Sequence, residues 1–170
     1  MKQICKVYQN KNQQAPDFLP PFVQMLGESL SQGADETSRE VIYCALGHLA
    51  SMSRSYKGIF GGIVELLQNF AGQDICSQNT SDLLKYRAIW AISHVTDQEG
   101  LKLEVVNQIF TLMHSNTELS VKVEAALCIA EIVSDQPQFA SLIKPALEQL
   151  LGTYLNIMEL IDCKELVEAL

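Results

Sequence analysis

The stretch ELSVKVEAALCIAEIV, residues 118–133, decides the fold. At helical spacing Val121, Val123, Ala125, Ala126, Leu127, Cys128, Ile129, Ala130, Ile132 and Val133 cover nearly the whole circumference. Glu124 and Glu131 fall seven apart on one narrow stripe, and Lys122 lies near the start. A helix that is apolar almost all round is buried on more than one side, so this segment belongs in the interior of a stack of helices.

The flanking segments read the same way. Strand alternation is absent, and the β-branched residues fall at helical spacing. MKQICKVYQ is a possible short helix. The spacing predicts a helix from Pro20-Pro21 to about Gln32, broken at Gly33-Ala34-Asp35. Thr37 as N-cap with Glu40 three residues on fits a capping box that opens a helix to about Met52. KGIFGGIVELLQNFAG follows, its start weakened by Gly58, Gly61 and Gly62. QDICSQNTS is the longest break. Thr80 or Ser81 then caps DLLKYRAIWAISHVTD. LKLEVVNQIFTLMH comes next, then the opening stretch, then QFASLIKPALEQLLGTYLNIMEL, which Pro145 kinks or restarts near Lys144.

Composition bounds the reading. The 170 residues are 48% hydrophobic and 19% charged, which is globular, and the net charge of −8 argues against a nucleic-acid surface and for basic partners. No apolar run is long enough for a membrane span, and the start lacks a signal-peptide core. Five scattered cysteines, Cys5, Cys44, Cys76, Cys128 and Cys163, form no CxxC pair and read as reduced thiols, mostly small core hydrophobes. The closing CKELVEAL stops inside an apolar pattern, as a cut through a longer protein would. Both ends are expected to be cut faces, with Ile4, Val7 and Tyr8 at one and Leu166, Val167 and Leu170 at the other.

A repeat underlies the pattern. Ala45-Leu46-Gly47-His48-Leu49 matches Ala91-Ile92-Ser93-His94-Val95 and Cys128-Ile129-Ala130-Glu131-Ile132, each set preceded by Arg39, Lys85 or Lys122. The offsets of 46 (Ala45 to Ala91) and 37 (Ala91 to Cys128) bracket a HEAT or armadillo unit. The expected fold is all-α: a right-handed α-solenoid of HEAT-type antiparallel helix pairs, with repeats over 36–74, 81–115 and 117–160 between a partial unit at 1–33 and the start of another at 163–170. Its first helices pack on their own second helices and on both neighbouring repeats. Ala91 and Ala125 should then be tightly packed. The second helices carry polar stripes: Glu65, Gln68, Asn69 and Gly72; Glu104, Asn107, Gln108 and Thr111; Glu148, Gln149, Gly152 and Asn156.

SDLLKYRAIWAISHVTDQEG followed by NTELSVKVEAALCIAEIVSDQPQFASLIKPALEQLL resembles the middle HEAT repeats of importin-β-like nuclear transport receptors. The nearest branch is the one containing importins seven and eight, through SVKVEAALCIAEIVSDQ with IKPALEQLL downstream; Cse-type exportins are similar here. The likeness spans roughly 36–160 and is strongest over 117–151. Such receptors are several times longer, so the chain would be a central slice without the amino-terminal Ran-binding repeats. The resemblance implies a scaffold that wraps basic protein cargo and shuttles between cytoplasm and nucleus. Ran GTPase and nucleoporins would be partners through the whole receptor, and neither nucleic acid nor membrane would be bound directly. It places Glu65, Glu104 and Glu148 on the inner, cargo-facing side as partner-binding residues. A phosphatase scaffold or a vesicle-coat adaptor is the alternative.

Nothing in the residues points to catalysis, a metal or a cofactor. His48 and His94 sit at matched positions of successive repeats, where packing explains them better than a metal pair; His114 falls in a turn. Cys44 beside Tyr43 has no base spaced to activate it. GIFGG lacks the Lys-Ser/Thr of a phosphate loop. Trp90 reads as core packing, and Lys2, Lys6 and Lys11 as a solvated face.

Overall fold

The computed structural model describes residues 15–54, 56–98, 101–115, 117–144 and 147–160, and every regular element among them is helical. Helix α1 (Leu19–Ser31) carries both prolines in its first turn, where a missing N–H is harmless. It stops where Gly33 takes φ +82° and donates its N–H to the Leu30 carbonyl at 3.2 Å.

Helix α2 (Glu36–Ser53) is capped two residues earlier than the Thr37 reading: the Asp35 carboxylate accepts the Ser38 N–H at 2.8 Å. A carboxylate is the stronger acceptor at the positive end of a helix, and Glu40 is thereby free for a contact outside its own helix. Next comes one continuous rod, made of α3 (Lys57–Leu66), a π-helical turn (Leu67–Ala71) and α4 (Gly72–Cys76). The break expected from Gln73 therefore begins only at Ser77. The π-turn has a packing cause. Ile63, Leu67, Ala71 and Ile75 are all fully buried at a spacing of four, which drifts by about 40° per step around an α-helix; a wider turn offsets the drift.

Ser81, not Thr80, caps α5 (Asp82–Ser93), accepting the Leu84 N–H at 3.4 Å. Helix α6 (Leu103–His114) and α7 (Leu119–Asp135) follow. After a 3-10 turn at Pro137–Phe139, the described residues of the segment expected to break at Pro145 form α8 (Ala140–Ile143) and α9 (Leu147–Leu160). Pro145 itself, MKQICKVYQ and the residues expected to form the two cut faces lie outside the described residues.

The helices pack in two layers. Helices α2, α5 and α7 are successive neighbours in one; α1, the α3–α4 rod and α6 follow one another in the other, and α9 packs on α7. Between the layers, among the described residues, α5 packs on the rod that precedes it far more than on α6, which packs on α7 and α4. The expected pairing of α5 with its own following helix is thus shifted by one element. The matched residues are equally buried: Leu46, Ile92 and Ile129 at 0–1%, and Leu49, Val95 and Ile132 at 0–8%.

The opening stretch is interior, held between α5 and α6. Val121, Ala125, Ala126, Cys128, Ile129 and Ile132 are enclosed, as is Ala91 on α5. Glu124 departs from the expected wet stripe, being buried, while Glu131 is exposed. Ala125→Leu is expected to overpack this seam and cost about 1–3 kcal/mol; an unchanged urea midpoint would show a site that yields.

Candidate functional site

Glu65, Glu104 and Glu148 are all exposed. Glu104 and Glu148 stand in the first turns of α6 and α9, where a carboxylate also favours the positive helix end. Glu65 lies late in α3. Two contacts fix the register between the rod and α6: Lys102 Nζ donates to Asn69 Oδ1 at 3.0 Å, and the Cβ position of Gly72 lies 2.9 Å from Val105 Cγ2. Both give an offset of 33 residues, so Glu104 is level with Ala71, whereas Glu65 lies six residues earlier on the rod, before the π-turn (71 − 65 = 6). The two carboxylates share an exposed layer but not one level. Gly72 leaves the polar stripe and is buried under Val105, whereas Asn107 and Thr111 stay exposed.

The first-helix layer is joined by a recurring polar contact. Glu36, the first residue of α2, accepts the backbone N–H of Ser81 at 3.3 Å; Asp82, the first residue of α5, accepts that of Glu118 at 2.9 Å. In each case the opening carboxylate of one helix holds the N-cap residue of the next. The hydrogen bond from Ser81 is what holds the Glu36 carboxyl below its usual range. The other helix ends are joined too. Arg54 pairs with Asp97 at 2.9 Å, Thr96 donates to Asp135 at 2.6 Å, and the Gln136 amide donates to the carbonyls of Thr96 and Gln98.

Mid-layer, Trp90 of α5 lies against Gly47 of α2, whose Cβ position is 2.6 Å from the indole Cζ3. His48 meets the indole edge-on with centroids 5.0 Å apart, and His94 lies tilted at 4.4 Å. His94 Nδ1 is also 2.8 Å from the Trp90 carbonyl oxygen, and burial pushes its pKa down. The two histidines thus bracket an aromatic ring, and no metal-ligand cluster occurs among the described residues. Trp90 itself is half-buried, with the Arg87 guanidinium 5.2 Å from its ring centroid.

Sequence reasoning missed a buried polar node. Asp74 on α4 is 6% exposed and engages Arg39 Nη1 at 3.1 Å, the Tyr43 hydroxyl at 2.6 Å and the Thr80 hydroxyl at 3.5 Å. Burial, with the hydrogen bond to Asp74, drives the Tyr43 phenol far above its ordinary range. Asp74 was hidden because it lies in the stretch read as a break. The available signal was the same-face pair Arg39 and Tyr43, a cation and a phenol on an otherwise apolar stripe. Cys44, next to Tyr43, is half-buried and free.

Among the described residues, an open cleft of about 580 Å³ lies at the α1–α2 turn beside Thr37, Ser38 and Val41, and another of about 360 Å³ among Arg54, Phe60, Gly61, Asp97 and Gln98. In the second, Arg54 and Asp97 pair at 2.9 Å and neutralise each other. What the described surface offers chemically is a set of exposed carboxylates on one layer and a braced layer behind it. Comparison with protein-family models, curated proteins and solved structures finds no match to this chain.

Proposed function

We propose that the chain is a protein-interaction scaffold: a right-handed α-solenoid of HEAT-type helix pairs that takes a basic, extended protein segment along its second-helix layer. The observation that carries the reading is the opening-carboxylate contact made at two successive junctions, Glu36 to Ser81 and Asp82 to Glu118. A contact repeated from unit to unit is how a one-dimensional stack propagates. It leaves the other layer, with Glu65, Glu104 and Glu148, to face a partner. The narrower reading, a transport receptor of the importin-β type that carries cargo under Ran control, rests on the sequence resemblance alone.

Exposed ion pairs contribute about 0–1 kcal/mol each and weaken with salt, so one stack of this length binds weakly and a longer one sums many contacts. The test is a titration of the chain with a dye-labelled Lys/Arg-rich peptide at low and moderate salt. The expected result is salt-sensitive binding that falls by about 5- to 100-fold in the triple variant E65K/E104K/E148K. Equal binding by the triple variant at both salts removes this layer as the binding face. Capture of GTP-loaded Ran by a longer natural version of the chain separately tests the transport reading.

A further inference from the structure

We propose that Arg87 is a shared cation poised between Glu40 on α2 and Glu124 on α7, and that loss of the Glu124 proton draws it toward α7, changing how three neighbouring first helices are joined. Arg87 stands on the middle helix, α5. Its Nη2 is 3.5 Å from Glu40 Oε1, and its guanidinium lies over Trp90 and, at 5.6 Å, Tyr86. Its Nε–H is buried and has no acceptor among the described residues. A guanidinium is a fork of five donors, so an idle buried Nε–H is an unused bond in a place that water does not fill.

The missing acceptor is on the next helix. Glu124 is 8% exposed and has no hydrogen-bond or ion-pair partner among the described residues. Burial pushes its carboxyl up to about 7, Glu131 adds to the rise and Arg87 opposes it. Asp82 at the start of α5 bonds Glu118 at the start of α7, an offset of 36 residues (118 − 82), and Arg87 and Glu124 are 37 apart (124 − 87), so an unused donor and an unused acid stand at one level of the packed α5–α7 pair. The other titratable groups around Glu124 are Cys128 and Glu131 on its own helix, Glu40 and His48 reached through Arg87 and Trp90, His94 at the end of α5, and Tyr154 on α9, whose hydroxyl donates to the Ala126 carbonyl at 2.8 Å. On α6, His114 engages Thr153 at 2.7 Å.

The step is a simple proton release. The neutral carboxyl gives its proton to solvent, Arg87 keeps its charge, and the new carboxylate accepts Nε–H. Because the folded carboxyl holds its proton to higher pH than the ordinary value of 4.5, the folded chain binds more protons than the unfolded one in between. Its stability therefore declines as pH rises from about 4.5 to about 7 and levels off above.

Trp90 is the only tryptophan in the chain, so its emission reports the position of the cation stacked on it. The experiment is a fluorescence titration of the whole chain from pH 5 to 9. The expected result is a transition centred near 7 that disappears in Glu124→Gln and survives in the double variant His48→Gln/His94→Gln. In Glu40→Gln the midpoint should move down by about one pH unit, because Arg87 is released to Glu124. A wild-type chain without a transition, a transition that survives Glu124→Gln, one that vanishes with the histidines, or an unmoved midpoint in Glu40→Gln overturns the proposal. Should Glu124→Gln fail to fold, carboxyl carbon shifts of the wild-type chain decide: one glutamate titrating near 7 supports it, and all titrating below 5.5 rejects it.

Discussion

Asp74→Ala is expected to lower the unfolding free energy by about 3–5 kcal/mol, the largest loss from any single truncation described above. The change deletes the acceptor of the Tyr43 hydroxyl, which is fully buried, and the counter-charge of Arg39, whose Nε–H already has no acceptor among the described residues. Tyr43 cannot reach water, and Arg39 keeps only the longer contact to Glu36 at 4.0 Å, so both lose most of what offsets their desolvation. The Arg39 side chain is 29% exposed, which relieves part of the charge and places the expectation at the lower end of that range. Asp74→Asn keeps an acceptor for Tyr43 and should fall between. Tyr43→Phe removes one bond from a node that keeps its ion pair and should cost about 1 kcal/mol. Urea denaturation of the three variants checks the order. An Asp74→Ala chain within 1 kcal/mol of wild type would mean that the node is solvated in solution.

Gly47→Leu should cost about 3 kcal/mol or more. A Cβ alone at residue 47 would sit 2.6 Å from the Trp90 ring, closer than carbon atoms approach without displacement, and leucine adds three further carbons. The indole cannot yield easily, because His48 and His94 bracket it and Arg87 covers it. The helices α2 and α5 would have to separate. Two readouts should move together, the denaturation midpoint downward and the Trp90 emission to longer wavelength as the ring is uncovered. A lowered midpoint with unchanged emission would place the damage elsewhere.

Periodicity carried the helices and their order because each apolar stripe is long and the breaks contain Gly, Pro or a capping side chain. Gly33 and Ser81 illustrate this. What the periodicity could not carry was anything set by contact between distant residues. Asp35 outcompetes Thr37 as a cap through charge, which a hydroxyl-based motif overlooks. The helix through Gln73–Cys76 survives because Ile75 is fully buried and Asp74 finds Arg39 and Tyr43 on α2, and no local propensity announces that. Glu124 looked like a wet residue from its spacing, yet it is buried. The carboxylates of the second layer were legible as exposed, but their alignment was not. A ladder needs the register between helices, and that register is set by Lys102 on Asn69 and Val105 on Gly72.

The polar joints between neighbouring first helices bear on mechanics. Helices α2, α5 and α7 are tied at both of their ends by several polar contacts, whereas among the described residues the second layer is joined by two side-chain bonds, Lys102 to Asn69 and His114 to Thr153, and by apolar contact. Under tension along the stack such a body does not stretch uniformly. The tied layer acts as an inextensible spine and the opposite layer as the side that opens, so that load is converted into curvature. The exposed carboxylates ride on the compliant side, and bending would change the spacing between them while their chemistry stays the same.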